Sequence, residues 1–416
     1  MTVERLKGVV AGLLALALSF VAHTASARSA TSAESPLILI SIDGFRWDYL
    51  DRGITPNLSA LATAGVRATR MTPSFPSVTF PNHYTLVTGR YPDHHGIVNN
   101  TFEDANIPPG VFRMSSKDEA WWDEATPIWV AAERQGVATA TEFWPGSDVA
   151  IHGVRPGRWE AYSAMKSGDQ RVDTLLGWLS DPPATRPRFA TLYFDLVDTA
   201  GHLHGPDSPD VNRAIAGVDA SIGRLVAGLK SRGLRPNLII VADHGMATVA
   251  PERTVILDDI VRMSAVHVVF TDALSGIDIP ATADGAAARA KLLAPHDHIT
   301  CWDKRDIPPR FHYGANPRVP DVICVAEVGW LVETRESIRK RRLPLLGEHG
   351  YDNAAPDMGA LFIAEGPAFK TGLTIPPFEN VDVYPLMISL LGITGEPNDG
   401  RLANLKPILK TRTSAR

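Results

Sequence analysis

Cysteine is nearly absent: two residues in 416. Two thiols cannot build a zinc ribbon or a disulfide-stapled small fold, so any chemistry lies with other side chains. An excess of basic charge is missing too. The 41 Lys and Arg stand against 46 Asp and Glu, for a formal net charge of −5, whereas nucleic-acid binding leaves a basic footprint. A nucleic-acid duplex is therefore not expected as a partner, and any nucleotide recognised is small. Charged residues make up 21% of the chain and hydrophobic ones 44%, which excludes wholesale disorder and is enough to fill a large core. No internal repeat, coiled coil or low-complexity tract is present. A membrane-spanning run is also lacking, because the apolar stretch at residues 9–22 is shorter than the roughly 20 residues a bilayer requires.

That stretch has another meaning. Arg5 and Lys7 precede it, and Ala25-Ser26-Ala27 close the small residues that follow. A positive start, a short apolar centre and an A-x-A exit describe a secretory leader over residues 1–27, with an uncleaved anchor as the alternative. The mature chain then runs over residues 28–416, exported to the periplasm or beyond the cell, with no stable membrane anchor. Export puts Cys301 and Cys324 in an oxidising compartment, where an even pair is expected to form one disulfide; two reduced, buried thiols are the alternative.

What the chain has in quantity is short β-branched runs that end in carboxylates. Residues 37–42 lead into Asp43-Gly44, residues 191–194 run towards Asp195 and Asp198, and residues 238–242 lead into Asp243-His244-Gly245. Such runs read as strands buried on both faces. Before the last of them, Ile215, Val218, Ile222, Leu225 and Leu229 recur at helix spacing up to Gly233. Strands alternating with helices predict an α/β fold with a doubly wound, mostly parallel central sheet. Residues 251–346 have weaker periodicity and both cysteines, and are expected to form a cap subdomain inserted in a single catalytic domain. Residues 360–364 return to the sheet, and residues 384–391 form a final helix ended by Gly392. The tail at 410–416 is expected to fray.

Ligands of such sheets bind beyond the carboxyl ends of the strands, where Asp43, Asp198 and Asp243-His244 fall. Carboxylates gathered there repel one another unless a cation sits among them. Asp198 and His202, four apart, can share one face of a helical turn; a simple salt-bridged pair is the alternative. His349, flanked by Gly347 and Gly350, is by itself compatible with an ordinary surface histidine. Together these give three carboxylates and three imidazoles, a mixed set that suits zinc better than magnesium or calcium, and enough for two catalytic ions. Thr79 precedes Pro81 and a helix exit at Gly89, so it sits at a helix N-terminus, where anions are favoured. Its hydroxyl needs activation to act as a nucleophile; a plain N-cap is the alternative.

The order of the motifs resembles the nucleotide pyrophosphatase/phosphodiesterase family of the alkaline phosphatase superfamily, and a bacterial member of it. The markers are Ser41-Ile42-Asp43-Gly44-Phe45-Arg46, Thr79-Phe80-Pro81-Asn82-His83-Tyr84, residues 89–98, residues 198–206, Asp243-His244-Gly245-Met246 and His349-Gly350-Tyr351. The resemblance implies an alkaline phosphatase-type sheet and two Zn2+. One zinc would be bound by Asp198, His202 and His349, the other by Asp43, Asp243 and His244, with Thr79 beside it as ligand and nucleophile. It further implies that Asn100 donates to a phosphate oxygen and that Phe80 and Tyr193 hold a nucleotide base. Asp195 replaces a residue of many relatives and is given no role. The implied activity is hydrolysis of phosphodiester or pyrophosphate bonds of nucleotides through a phosphothreonine intermediate. A threonine nucleophile with a neutral asparagine donor favours diesters over monoesters. Lysophospholipid, choline-phosphodiester and phosphonoacetate-type hydrolysis are alternatives, as is a zinc-dependent periplasmic binding module without turnover.

Overall fold

The apolar runs form strands with no exposed face. A computed structural model describes residues 35–411; the expected leader and the last five residues of the tail lie outside that range. Leu37–Ile42 is buried at every position and is flanked in parallel by Phe189–Phe194 and Asn237–Val241. These three strands form the middle of an eight-stranded sheet. On one side follow Thr139–Glu142 and Arg158–Glu160, also parallel; on the other, Phe362–Glu365, Val66–Ala68 and Leu373–Ile375. Within the sheet only Phe362–Glu365 runs antiparallel to its neighbours. The sheet is thus mostly parallel, with helices on its faces, as the run-and-helix alternation predicts. The shorter strands at 66–68, 139–142, 158–160 and 373–375 carry too few apolar residues to stand out in the sequence.

Pro209–Ser231 packs Val211, Ile215, Val218, Ile222, Leu225 and Leu229 inward, a stripe at helix period. The helix at the C-terminal end, Val383–Leu391, closes at Gly392 with φ +67°, a left-handed exit that glycine adopts without a Cβ clash. It is followed by one further turn at Leu402–Leu405. None of the helices among the described residues is long and apolar enough to cross a membrane.

The 251–346 segment leaves the sheet after Asn237–Val241 and the chain rejoins it at Phe362–Glu365, on the adjacent position. It carries a four-stranded antiparallel sheet in the order His267–Phe270, Leu274–Asp278, Val322–Ala326, Ile299–Asp303. Leu257, Ile277, Leu292, Ile299, Val322 and Cys324 build a second apolar cluster there, while Leu274, Phe311, Ile323 and Val325 join the main core.

Cys301 and Cys324 face each other across paired strands and are disulfide-bonded, 23 residues apart in sequence. Thiol titration of the unfolded, unreduced protein should therefore find no free thiol, and two after reduction. Replacing both by Ser should lower stability by about 3 kcal/mol from loop-closure entropy, read as a lower urea midpoint. Two free thiols before reduction would contradict the bond.

Candidate active site

Three carboxylates converge because three adjacent strands end together. Asp43 directly follows Leu37–Ile42, Asp243 and His244 follow Asn237–Val241, and Asp198 stands in the first turn of the helix Leu196–His204 that follows Phe189–Phe194. Gly44 has φ +67°, and a Cβ on it would stand 2.9 Å from the Asp198 Cα, so only glycine lets these two loops approach. The Gly44 N–H donates to Asp243 Oδ1 at 3.2 Å. Arg46 holds the loop after His244 by donating to the Met246 carbonyl at 3.0 Å.

The three imidazoles follow one rule. Nδ1–H of His202 donates to the Gly347 carbonyl at 3.0 Å, that of His244 to the Gly245 carbonyl at 2.9 Å, and that of His349 to the Ser77 carbonyl at 3.0 Å. Each bond fixes the tautomer and leaves an Nε2 lone pair, the arrangement of a metal-ligating histidine. Those lone pairs point at carboxylates: His202 Nε2 is 3.5 Å from Asp198 Oδ2, His349 Nε2 is 3.7 Å from Asp198 Oδ1, and His244 Nε2 is 3.0 Å from Asp243 Oδ2 and 3.5 Å from Asp43 Oδ1.

Asp43 Oδ1, Asp198 Oδ1 and Asp243 Oδ2 are buried oxygens without a hydrogen-bond partner. A buried carboxylate oxygen is not left bare without cost. Burial and the carboxylates of Asp243 and Asp198 push Asp43 well above the usual carboxylate range. Burial acts in the same sense on Asp243, but His244 and His83 outweigh it and hold Asp243 below that range. Burial opposes charge on His202, yet Asp198 and Glu348 raise it to about 9. The pocket calls for positive charge. Bare oxygens and Nε2 lone pairs within 4.8 Å of one another, in the groups Asp198/His202/His349 and Asp43/Asp198/His244, fit metal ions.

Thr79 is the first residue of the helix Thr79–Thr88. Its side chain makes no cap hydrogen bond, and Val78 occupies the N-cap position, so the N-cap alternative does not hold. Instead its hydroxyl donates to His244 Nε2 at 3.2 Å. The Phe80 N–H is taken by Asn100 Oδ1 at 2.8 Å, which orients the amide and leaves Nδ2 as its donor end.

A cavity of about 580 Å³ opens over these groups, lined by Asp43, Thr79, Phe80, Asn100, Asp198, His202 and His349 among others. Tyr193 also lines it, but its phenol donates to Asp43 Oδ2 at 2.6 Å. The expectation that Tyr193 holds a base is revised accordingly: its polar end is spent on a carboxylate and its ring is packed against His83, Phe143 and Tyr162. Tyr162, 44% exposed, lines the same cavity.

Several residues escaped sequence reasoning. His83 lies near Asp43 and Asp243, but both nitrogens are committed. Its Nδ1–H donates to the Thr79 carbonyl, and its Nε2 accepts from Ser41 Oγ, each at 2.9 Å. It holds the backbone at Thr79. Asn82 does the same work, donating to the Pro76 and Val78 carbonyls and accepting from the Ser74 N–H. Asp195 accepts from the Tyr162 hydroxyl at 2.5 Å and pairs with Arg171 at 3.1 Å, so it positions that ring. A lone tyrosine in an irregular loop gives no periodic signal from which this could be read.

Comparison with known proteins agrees with this architecture. Residues 37–352 match the family model described as type I phosphodiesterase / nucleotide pyrophosphatase. An uncharacterised pyrophosphatase/phosphodiesterase of Schizosaccharomyces pombe is 40% identical, over 92% of this chain and 82% of its own length. A bis(5′-adenosyl)-triphosphatase of Xenopus laevis is 39% identical over 91% of this chain and 83% of its own. Among solved structures, murine ectonucleotide pyrophosphatase/phosphodiesterase 5, inactivated by a threonine-to-alanine change and in complex with AMP, superposes with a TM-score of 0.86. It is 34% identical, over 90% of this chain and all of that one. These relatives are eukaryotic and give no support to the bacterial placement expected from the sequence. The sheet is of the alkaline phosphatase type, and the chain belongs to the type I phosphodiesterase / nucleotide pyrophosphatase family of enzymes.

Proposed function

We propose that this enzyme is a two-zinc hydrolase of nucleotide phosphodiesters and pyrophosphates that works through a phosphothreonine intermediate and releases a nucleoside monophosphate. One observation carries the reading: the Thr79 hydroxyl, not used as a cap, stands among three bare carboxylate oxygens and three Nε2 lone pairs. Asp198, His202 and His349 would hold one zinc, and Asp43, Asp243 and His244, with Thr79 beside them, the other. When bound, the ions supply Lewis acidity to phosphoryl oxygens and lower the pKa of attacking hydroxyls. Thr79 Oγ1 loses its proton to solvent as it attacks phosphorus in line, and the ester oxygen leaves with its electron pair and takes up a proton. Water then attacks the phosphothreonine, the P–Oγ1 bond breaks and the hydroxyl is restored. Asn100 presents Nδ2 to a phosphoryl oxygen, a neutral donor suited to a singly charged diester.

The 580 Å³ cavity is of the size that takes a small ligand. We infer that a base stacks between Phe80 and Tyr162, in keeping with the AMP found in the murine relative's complex. Tyr193 instead steadies Asp43. Export as a mature chain from Arg28, to a bacterial periplasm or outside the cell, is inferred from the leader signature; a relative named as a venom phosphodiesterase is in keeping with export.

The first test is the ratio of kcat/KM for p-nitrophenyl thymidine monophosphate against p-nitrophenyl phosphate. A ratio far above one is expected; a ratio below one would move the protein to monoester chemistry. Thr79→Ala should lower kcat by at least roughly 10³-fold while metal content, measured by atomic emission, is retained. Full turnover in that variant would sink the mechanism. Tyr162→Ala should raise KM for the nucleotide ester about tenfold, as the loss of one stacking face does, with kcat little changed. Because His202 is held at about 9, its proton competes with metal at lower pH. Zinc added to stripped protein should therefore release protons, and affinity should tighten as pH rises from 6 towards 9. A pH-independent affinity would remove His202 from the ligand set.

A further inference from the structure

The ring of Tyr162 is carried by a stretch that the core does not hold. Residues 161–165 are exposed at every position, Met165 at 91%, so none of them is anchored by burial in an apolar cluster. What fixes them is polar. The Tyr162 hydroxyl reaches Asp195. Arg171, in the helix Gly168–Leu179, donates to the Ser163 and Lys166 carbonyls, each at 3.2 Å. Lys166 closes the stretch with an ion pair: its Nζ stands 2.5 Å from Glu142 Oε1.

Glu142 is the last residue of the sheet strand Thr139–Glu142, which is buried at every position, and its side chain is 2% exposed. A carboxylate at such a place is costly unless it is paired. Burial pushes the Glu142 carboxyl up, against the pull of Lys166. The pair joins two segments that also meet over the site. Phe143 follows Glu142, and its ring and that of Tyr162 have centroids 5.1 Å apart and both line the 580 Å³ cavity. Neither Glu142 nor Lys166 lines it; they tie the same two segments together outside the cavity wall. The Phe143 side is the fixed one, since its carbonyl accepts from Thr191 Oγ1 of a central strand at 3.0 Å. The ion pair therefore holds the Tyr162 side to the sheet.

We propose that Glu142 and Lys166 are positioning residues for the base, a pair that sets where the Tyr162 ring stands opposite Phe80. The inference rests on the reading that a base stacks between those two rings. The two side chains pair with each other and, at 4.0 Å, with Glu160, rather than with Thr79, Asn100 or the carboxylates and imidazoles of the site. Their loss loosens the ring and leaves attack at phosphorus as it is. A phosphodiester without a base gains nothing from the ring and is indifferent to the pair. An ion pair of purely structural value would act otherwise, weakening the enzyme towards both kinds of ester alike.

The test sets p-nitrophenyl thymidine monophosphate against methyl p-nitrophenyl phosphate, a diester with the same leaving group and no base, on the metal-loaded enzyme. Replacing Lys166 alone would strand a buried carboxylate, so the variant is Glu142→Gln with Lys166→Met, which removes both charges. KM for the nucleotide ester should rise about fivefold, less than the loss of a whole stacking face, with kcat little changed. For the methyl ester kcat/KM should stay within about twofold of the parent's. Glu142→Gln alone, the milder change, should raise the nucleotide KM about twofold, and Lys166→Arg, which keeps the charge, should restore the parent's value. An unchanged nucleotide KM in the Glu142→Gln variants, or an equal fall in kcat/KM for both esters, would overturn the positioning role. Tyr162→Ala separates the two readings. If it raises the nucleotide KM and the Glu142→Gln variants do not, only the pair fails; if it leaves that KM unchanged, the stack on Tyr162 falls and the pair's role with it.

Discussion

The repulsion among Asp43, Asp198 and Asp243 is the constraint on which the rest of the structure turns. Three carboxylates at the ends of three neighbouring strands would drive those loops apart in a buried pocket with nothing between them. The fold opposes this with contacts of another kind. The Gly44 N–H reaches Asp243, the Tyr193 phenol reaches Asp43, and three histidines are pinned through Nδ1 to backbone carbonyls. The contacts through Gly44 and Tyr193 bring no positive charge. They hold a geometry that only a bound cation makes comfortable, which is how a protein fixes a metal site before the metal arrives.

The same logic explains motif residues that touch no ligand. Asn82 and His83 hold the backbone around Thr79, and Trp144 donates to the His83 carbonyl at 2.9 Å. His95 is buried against Thr85 Oγ1 and the Pro81 carbonyl, and burial pushes it down to about 3, so it stays neutral as a strut against the helix that begins at Thr79. A marker such as Thr79-Phe80-Pro81-Asn82-His83-Tyr84 is therefore one proposed nucleophile and its scaffolding rather than a run of catalytic groups.

This is why legibility was uneven. The buried strands at 37–42, 189–194 and 237–241 were readable because burial on both faces demands continuous apolar runs, and the carboxylates after them stood out against that background. The return at 360–364 was readable too, whereas the strands at 66–68, 139–142, 158–160 and 373–375 were not, since edge and three-residue strands need few apolar positions. Asp43, Asp198, Asp243 and His244 could be singled out because charged residues at strand ends need a reason, whereas His202 entered through its spacing to Asp198 and His349 through the family resemblance. The assignment of Tyr193 to the base missed a commitment: sequence shows an aromatic ring near the site, but only coordinates show that its hydroxyl is spent on Asp43. Tyr162 had no such local signal, and its interest arises from its exposure over the cavity.

The two sides of the site are also built by different parts of the chain. Phe80, Met114, Phe143 and Tyr162 line the main cavity, whereas Phe270, Asp272 and Leu274 of the 251–346 insertion line a smaller one beside it that shares Asn100, His202 and His349. The insertion is fastened to the catalytic core away from the reacting atoms. Asp93 accepts from the backbone N–H groups of Gly314, Ala315 and Asn316, and Arg318 donates to the carbonyls of Gly96, Ala120 and Trp121. A buried guanidinium with this many fixed acceptors is a rigid joint. The wall that Phe270, Asp272 and Leu274 give the site is thus held by contacts outside the cluster of carboxylates and histidines.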